Sequence, residues 1–359
     1  MGKWERDILG LIPEAEWLST DFNPTRQNDP IDGLFGDEKT DNIEAKWQTI
    51  ASEYQIPVMA QFHGFDTESQ TTFRAPVDTH NIEKGLIKVK LNQSERMRAL
   101  LRTGVREDAL YDYVLGDGIR LADQVITRTK VAKNEVMYSG KMTIKENNLD
   151  LTVDYGVAAN HLNKVIDFGE GQDVPAQIQA LIDAALAEGV TLTGILTSRA
   201  MLSKMRSHAS VQQAIGGNLA IGAQVRMSAL TAWLEEEYGI TRVITNDLTY
   251  VSEAKIGANG RPNLTTERYF PANKISFFAT NPAGRLGIGL WGDPPEVDLP
   301  NFISGNNSEV SPYVYISQWS ENDPAVLWTK ASGLFIPVLY MPSSLFVATA
   351  QETEAGGEG

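Results

Sequence analysis

The chain has 359 residues, 42% of them hydrophobic, with no cysteine and a formal charge of -15 from 46 acidic and 31 basic side chains. That length can bury one large core or two modest ones, and the missing cysteines exclude disulfides, thiolate metal sites and cysteine nucleophiles. The acidic balance argues against a dedicated nucleic-acid reader, which carries a broad basic footprint.

No run approaches the roughly 18 uncharged apolar residues of a membrane span, and MGKWERDILG lacks the apolar centre of a signal peptide, so no membrane partner and a cytosolic site of synthesis are expected. From Met1 to about Lys39 the chain is acidic and broken by Pro13, Pro24 and Pro30. It reads as an arm lying on something else, with WERDILGL as a short helix placing Trp4, Ile8 and Leu11 on one side. Extended segments follow: IEAKWQTI, YQIPVMAQF and GLIKVKL, the last with partial alternation of Leu86, Ile87, Val89 and Leu91. The polar stretch HGFDTESQTTFRAPVDTHNIEK is longer than an ordinary connection and reads as a β-hairpin or loop projecting from the body.

Beyond SERMRALLRTGV, where Ser94 suits an N-cap, the residues Leu110, Val114, Leu121, Val125, Ala132 and Val136 are spaced 4, 7, 4, 7 and 4 apart. This eleven-residue repeat drifts little around a straight helix axis. Arg106 to Ser139 would span about 50 Å at roughly 1.5 Å per residue. Gly116 and Gly118 each cost about 1 kcal/mol in a helix interior, which leaves two collinear helices as an alternative. Gly140 is placed to end the element.

KMTIKENNLDLTVDYG reads as a hairpin turning at Glu146-Asn147-Asn148. Helix and strand then alternate through VPAQIQALIDAALAEG, TLTGILTS, SRAMLSKMRS, SALTAWLEEEYG and ITRVITND, an α+β or α/β subdomain. From Pro271 the texture is β-rich: NKISFFAT, GRLGIGLWG, SPYVYISQW, GLFIPVLYMP and SLFVATA. The acidic, glycine-rich QETEAGGEG reads as a disordered tail.

Few features look chemical. GIGLWG (Gly287 to Gly292) matches G-x-G-x-x-G, but that motif needs a following helix, which Pro294, Pro295 and Pro300 forbid; a glycine-bearing strand is expected. His63, His80, His161 and His208 lack helix-borne ligand spacing, and GGNLAIGAQ lacks the Lys-Ser/Thr of a phosphate cradle. Asp150 with Asp154, and Glu235 to Glu237, read as solvated charge rather than acid–base pairs. No catalytic residue, cofactor or metal is expected. Between Ile119 and Lys145 the local sign reverses, with Arg120, Arg128, Lys130, Lys133, Lys141 and Lys145 against Asp123 and Glu135. This is either helix solvation or a face that meets polyanion without reading its sequence.

The order of parts, through YSGKMTIKENNLDLTVDYG, ERYFPANKISFFATNPAGRLGIGLWGDP and FIPVLYMPSSLFVATA, resembles the major capsid proteins of lambda-like tailed bacteriophages, the phage capsid E family. The resemblance runs from about Asp41 onward. It implies an α+β fold of the Hong Kong 97 type: an N-terminal arm (1–41), peripheral strands (42–61), an extended loop (62–80), and a peripheral domain with spine helix and hairpin (81–157). An axial domain (158–271), a return to the peripheral domain (272–332), an axial strand (333–350) and the tail (351–359) complete it.

The implied function is a virion subunit, assembled in the host cytoplasm, that closes as pentamers and hexamers into an icosahedral head. Trp4, Trp17, Phe22, Phe65, Phe73 and Arg74 would make intersubunit contacts, and Arg120, Arg128, Lys130 and Lys133 would face packaged DNA. The implied partners are further copies, a portal protein, a separate scaffolding protein and a decoration protein. The loop 62–80 holds no lysine, the nearest being Lys84, which argues against covalent cross-linking of the shell. An encapsulin-like compartment is the alternative within this fold, and a β-rich hydrolase the alternative of another class.

Overall fold

The computed structural model describes residues 29–49, 74–93, 107–146, 148–217, 225–256, 262–298, 302–304, 313–323 and 325–353, with a few positions between 59 and 71 and at 95 and 222. A 3₁₀ turn at Pro30–Gly33, N-capped by the Asp29 carboxylate, leads into β1 (Phe35–Lys39). Strands β2 (Glu44–Thr49) and β3 (Asp78–Glu83) pair as an antiparallel ribbon, which turns at Lys84 into β4 (Gly85–Gln93). Helix α1 (Glu107–Ser139) is one element of 33 residues rather than two, and the hairpin β5 (Lys141–Glu146) and β6 (Leu149–Asp154) follows it as expected. Asn148 takes the left-handed conformation that so short a hairpin turn demands.

Next come α2 (Ala159–Leu162), β7 (Lys164–Asp167), α3 (Val174–Ala187), β8 (Gly194–Thr197), α4 (Arg199–Ser207), α5 (Ala209–Gly216), α6 (Met227–Tyr238) and β9 (Arg242–Thr245). A second ribbon, β10 (Thr249–Ile256) with β11 (Pro262–Arg268), went unread in the sequence, although YVSEAKI and LTTER flank the turn formers GANGRP. The remaining strands are β12 (Lys274–Phe278), β13 (Gly287–Gly292), β14 (Phe302–Ser304), β15 (Tyr315–Asn322), β16 (Ala325–Leu339) and β17 (Leu345–Gln351).

Two sheets organise these elements. The first has the order β1-β13-β16-β15-β14, with β4 also paired to the long β16; the second has the order β7-β17-β12-β8-β9. Helix α1 packs on the first sheet through the repeat read from sequence, since Leu121, Val125, Ala132 and Val136 are all buried. The second sheet is covered on both faces, and its strands divide by their period of two. Ile275, Phe277, Phe346 and Ala348 join the core under α3 to α6, whereas Phe278, Leu345 and Val347 join the core around α1.

The C-terminus of α1 locks the two sheets together. Its last turn holds no basic residue, and the orphan carbonyls are satisfied from elsewhere: Ser276 Oγ donates to Met137 O (2.7 Å) and Lys274 Nζ to Tyr138 O (2.9 Å). An ammonium group at the negative end of the helix dipole is favourable there. Gly140 ends the helix at φ +67, its N–H bonded to Val136 O, and a Cβ there would come within 3.0 Å of Val157. Gly118 differs. A Cβ there would meet Ile316 at an ordinary 3.6 Å, so Gly118→Ala is expected to raise stability by up to about 1 kcal/mol through helix propensity. A lowered urea midpoint would contradict this.

Two placements correct the sequence reading. Residues 29–39, read as part of the arm, belong to the core: Ile31, Leu34 and Phe35 are fully buried and β1 runs parallel to β13. They fit because β13 presents glycines there. A Cβ on Gly287 would lie 2.3 Å from Phe35 and 2.4 Å from Val338 O, and one on Gly289 would lie 2.3 Å from Asp37. G-x-G-x-x-G is thus a packing surface, followed by the 3₁₀ turn Pro295–Asp298 and not by a helix. Secondly, β12 lies inside the second sheet although it follows Pro271, and residues 333–339 remain in the first sheet; the strand that returns to the second is β17.

Candidate assembly interface

Among the described residues, the β2–β3 ribbon meets the body through Ala45, Trp47 and Ile82. Ala45 is buried, and Trp47 stacks on His80 across the ribbon (5.2 Å between ring centroids) while leaning on Tyr155 of the body (6.0 Å). The Tyr155 hydroxyl donates to Pro337 O at 2.5 Å, and burial pushes its pKa far up. Thr49 Oγ1 bonds His80 Nε2 (2.9 Å) at the last turn-side rung, since the final register pair is Thr49 with Asp78. Beyond that rung apolar side chains meet water: Phe62 is 106% and Phe65 102% exposed, with Met59, Val77 and Arg74 exposed as well. Phe62 and Met59 were not singled out from sequence, although MAQFHGF is an apolar cluster at the head of a long polar stretch. Trp4, Trp17, Phe22 and Phe73 lie outside the described residues.

All four basic residues assigned to DNA lie within ion-pair distance of a carboxylate of the same chain. Lys133 is 1% exposed and bonds Asp32 and Asp37 (both 3.0 Å) and Phe35 O (3.3 Å). Lys130 pairs with Asp32 at 3.7 Å and Arg128 with Glu146 at 3.2 Å. Arg120, 69% exposed, faces solvent at the far part of α1, 3.7 Å from Asp117. Burial pushes the Asp117 carboxyl above its ordinary range, and Arg120 opposes that. Charge counted within one segment misses the carboxylates outside it: Glu146 just past its end, and Asp32 and Asp37, which folding brings from about a hundred positions away.

Beside this cluster Asp29 is buried and joins three parts of the chain. Its carboxylate accepts from Ile31 N (3.0 Å), from Asn134 of α1 (3.3 Å) and from Asn246 beyond β9 (3.0 Å), while desolvation pushes its pKa up. Such a network directs the packing of the 29–39 segment because each buried polar atom must find its partner.

His161 and His208 are held by structural partners. His161 is buried on Phe346 (3.8 Å between ring centroids) and bonds Glu188 at 2.9 Å, and His208 bonds Ser210 at 2.9 Å. Asp154 pairs with Lys141 at 2.7 Å. Most of GGNLAIGAQ lies outside the described residues. Among the described residues no group of three or more His, Cys, Asp or Glu could hold a metal ion, and no helix is long and apolar enough to cross a membrane.

A crystal structure of a phage-related protein from Bordetella bronchiseptica RB50 has a similar fold, with 11% identity, a TM-score of 0.50, and 92% of this chain and 95% of that one covered. The mature capsid subunit of bacteriophage PhiM1 aligns at 7% identity and TM-score 0.48 over 92% and 89% of the two chains. The capsid subunit of cyanophage A-1(L) aligns at 12% and 0.48 over 95% and 98%. No curated protein sequence matches significantly. Two sheets bridged by one long helix, with a projecting ribbon, make this an α+β fold of the Hong Kong 97 capsid type. The sequence model of phage major capsid protein E matches residues 88–350, and the chain belongs to that family of structural proteins.

Proposed function

We propose that this chain is the repeating unit of a phage head, closing as pentamers and hexamers of itself into an icosahedral shell around double-stranded DNA. The observation that carries the reading is the pair Phe62 and Phe65, fully exposed beyond a ribbon that packs on the body through Ala45, Trp47 and Ile82. Two exposed phenylalanines on a projecting element are stabilised only by burial against another surface, and closed rings of identical copies supply that surface without an unsatisfied end. Family membership supports the same reading. In it the first sheet with α1 forms the peripheral domain and the second sheet with α3 to α6 the axial domain. A portal protein at one vertex, a separate scaffolding protein and a decoration protein are the further partners, and the virion is the destination after assembly in the host cytoplasm. Contact with DNA is electrostatic and independent of sequence; Arg120, the most exposed of the four basic helix residues, would take part.

The test is assembly. The wild-type chain, expressed with its neighbouring gene products, is expected to give closed shells in electron micrographs. The Phe62→Ser/Phe65→Ser double variant is expected to give folded capsomers or monomers with unchanged circular dichroism. Shells of normal yield from the double variant would refute the role of the ribbon. A dilute, monodisperse wild-type monomer under all these conditions would refute the reading as a whole.

A further inference from the structure

Lys84 stands at the corner where β3 passes the chain to β4, and it is 3% exposed. Its ammonium group donates to Thr40 O (3.0 Å), Asn42 O (2.6 Å) and Trp291 O (2.9 Å), with Thr40 Oγ1 at 2.6 Å as a fourth oxygen. All four acceptors are neutral. Burial pushes the lysine pKa down, Asp293 and Asp41 at longer range pull it up, and oxygens that accept from the ammonium favour its charged form.

The oxygens belong to separate stretches: Thr40 and Asn42 form the link between β1 and β2, and Trp291 lies near the end of β13. The Lys84 backbone N–H adds a bond to Ile43 O at 3.0 Å. Both strands of the ribbon therefore enter it through this corner. The space is made by Gly292, where a Cβ would lie 3.0 Å from Lys84 Nζ and 2.9 Å from Leu334.

We propose that Lys84 is the pin that sets the direction in which the β2–β3 ribbon leaves the body, and with it the way Phe62 and Phe65 are presented to a neighbouring copy. The second half of this statement rests on the assembly function proposed above; the first does not. The physical reason lies in the kind of contact. Apolar packing is non-directional and tolerates sliding, whereas a buried ammonium that loses an oxygen is left unsolvated, so the corner has one favoured geometry. Lys84 is a positioning residue in this role, and its burial also removes it from surface cross-linking.

The test uses the full chain with Lys84→Met, which keeps the length and removes the charge, and Lys84→Arg, whose planar fork does not suit a compact cage. Amide hydrogen exchange of the unassembled chain is expected to rise roughly tenfold or more in residues 44–49 and 78–83, the scale of one lost charge-assisted hydrogen bond, with the β13–β16 pairing unchanged. In assembly, shells of mixed diameter are expected where the wild type gives one. Ribbon exchange equal to wild type in both variants would overturn the proposal. Should Lys84→Met fail to fold, Gly292→Ala crowds the cage without removing the charge; unchanged ribbon exchange in that variant would also overturn it. If wild-type shells never form but ribbon exchange rises, the pin stands and the assembly reading fails.

Discussion

Replacing both Asp32 and Asp37 by alanine is expected to destabilise the unassembled chain by about 3–5 kcal/mol, the scale of a buried charge left without its partners. Lys133→Met is expected to cost less, about 1–3 kcal/mol. The asymmetry follows from exposure. Lys133 is enclosed by α1, β1 and Phe335, whose ring centroid lies 6.0 Å from Nζ, and it cannot reach water. The two carboxylates are partly exposed and can turn outward once the lysine is gone. The double variant also removes the acceptor of Trp291 Nε1 on Asp37 (2.9 Å). Urea midpoints of the two variants decide the matter; equal losses would mean that the lysine gains solvent by a local rearrangement of β1.

Gly287→Ala should be comparably severe, at about 3 kcal/mol or more, because it overpacks a site with nowhere to relax. The added methyl group would meet a ring carbon of Phe35 on one side and the backbone oxygen of Val338 on the other. Rigid backbone cannot yield as a flexible side-chain end does, so β1 should leave its place beside β13. The expected signature is a lowered urea midpoint with lost amide protection in Phe35–Lys39. A midpoint within about 0.5 kcal/mol of wild type, the range of ordinary surface changes, would show that the first sheet accommodates the methyl group.

Much of the fold was legible in the residues because local chemistry and tertiary demand agreed. The eleven-residue repeat of α1, Gly140 as its stop and the hairpin that follows all rest on interactions between near neighbours. The glycine motif of β13 could be set aside by sequence because the prolines after it forbid the helix its chemistry requires. Charge was another matter. Arg128, Lys130 and Lys133 were read as a surface because each carboxylate that pairs them lies outside the window in which they were counted.

The stretch 62–80 was read as a projecting loop because it is polar and too long for a mere connection. Phe65 was named, while Phe62 and the buried Lys84 at the root gained their meaning from what surrounds them: open water for one, four oxygens for the other. Periodicity, capping and turn chemistry marked many of the elements, though not the β10–β11 ribbon, since those effects act over a few residues and are written where they act. The docking of residues 29–39 into the core, the sharing of the second sheet between two cores, and the pairing of Lys133 with Asp32 and Asp37 came from contacts between residues distant in the chain. Burial energies of that kind depend on which surfaces meet, and no stretch of chain carries that information until the whole has folded.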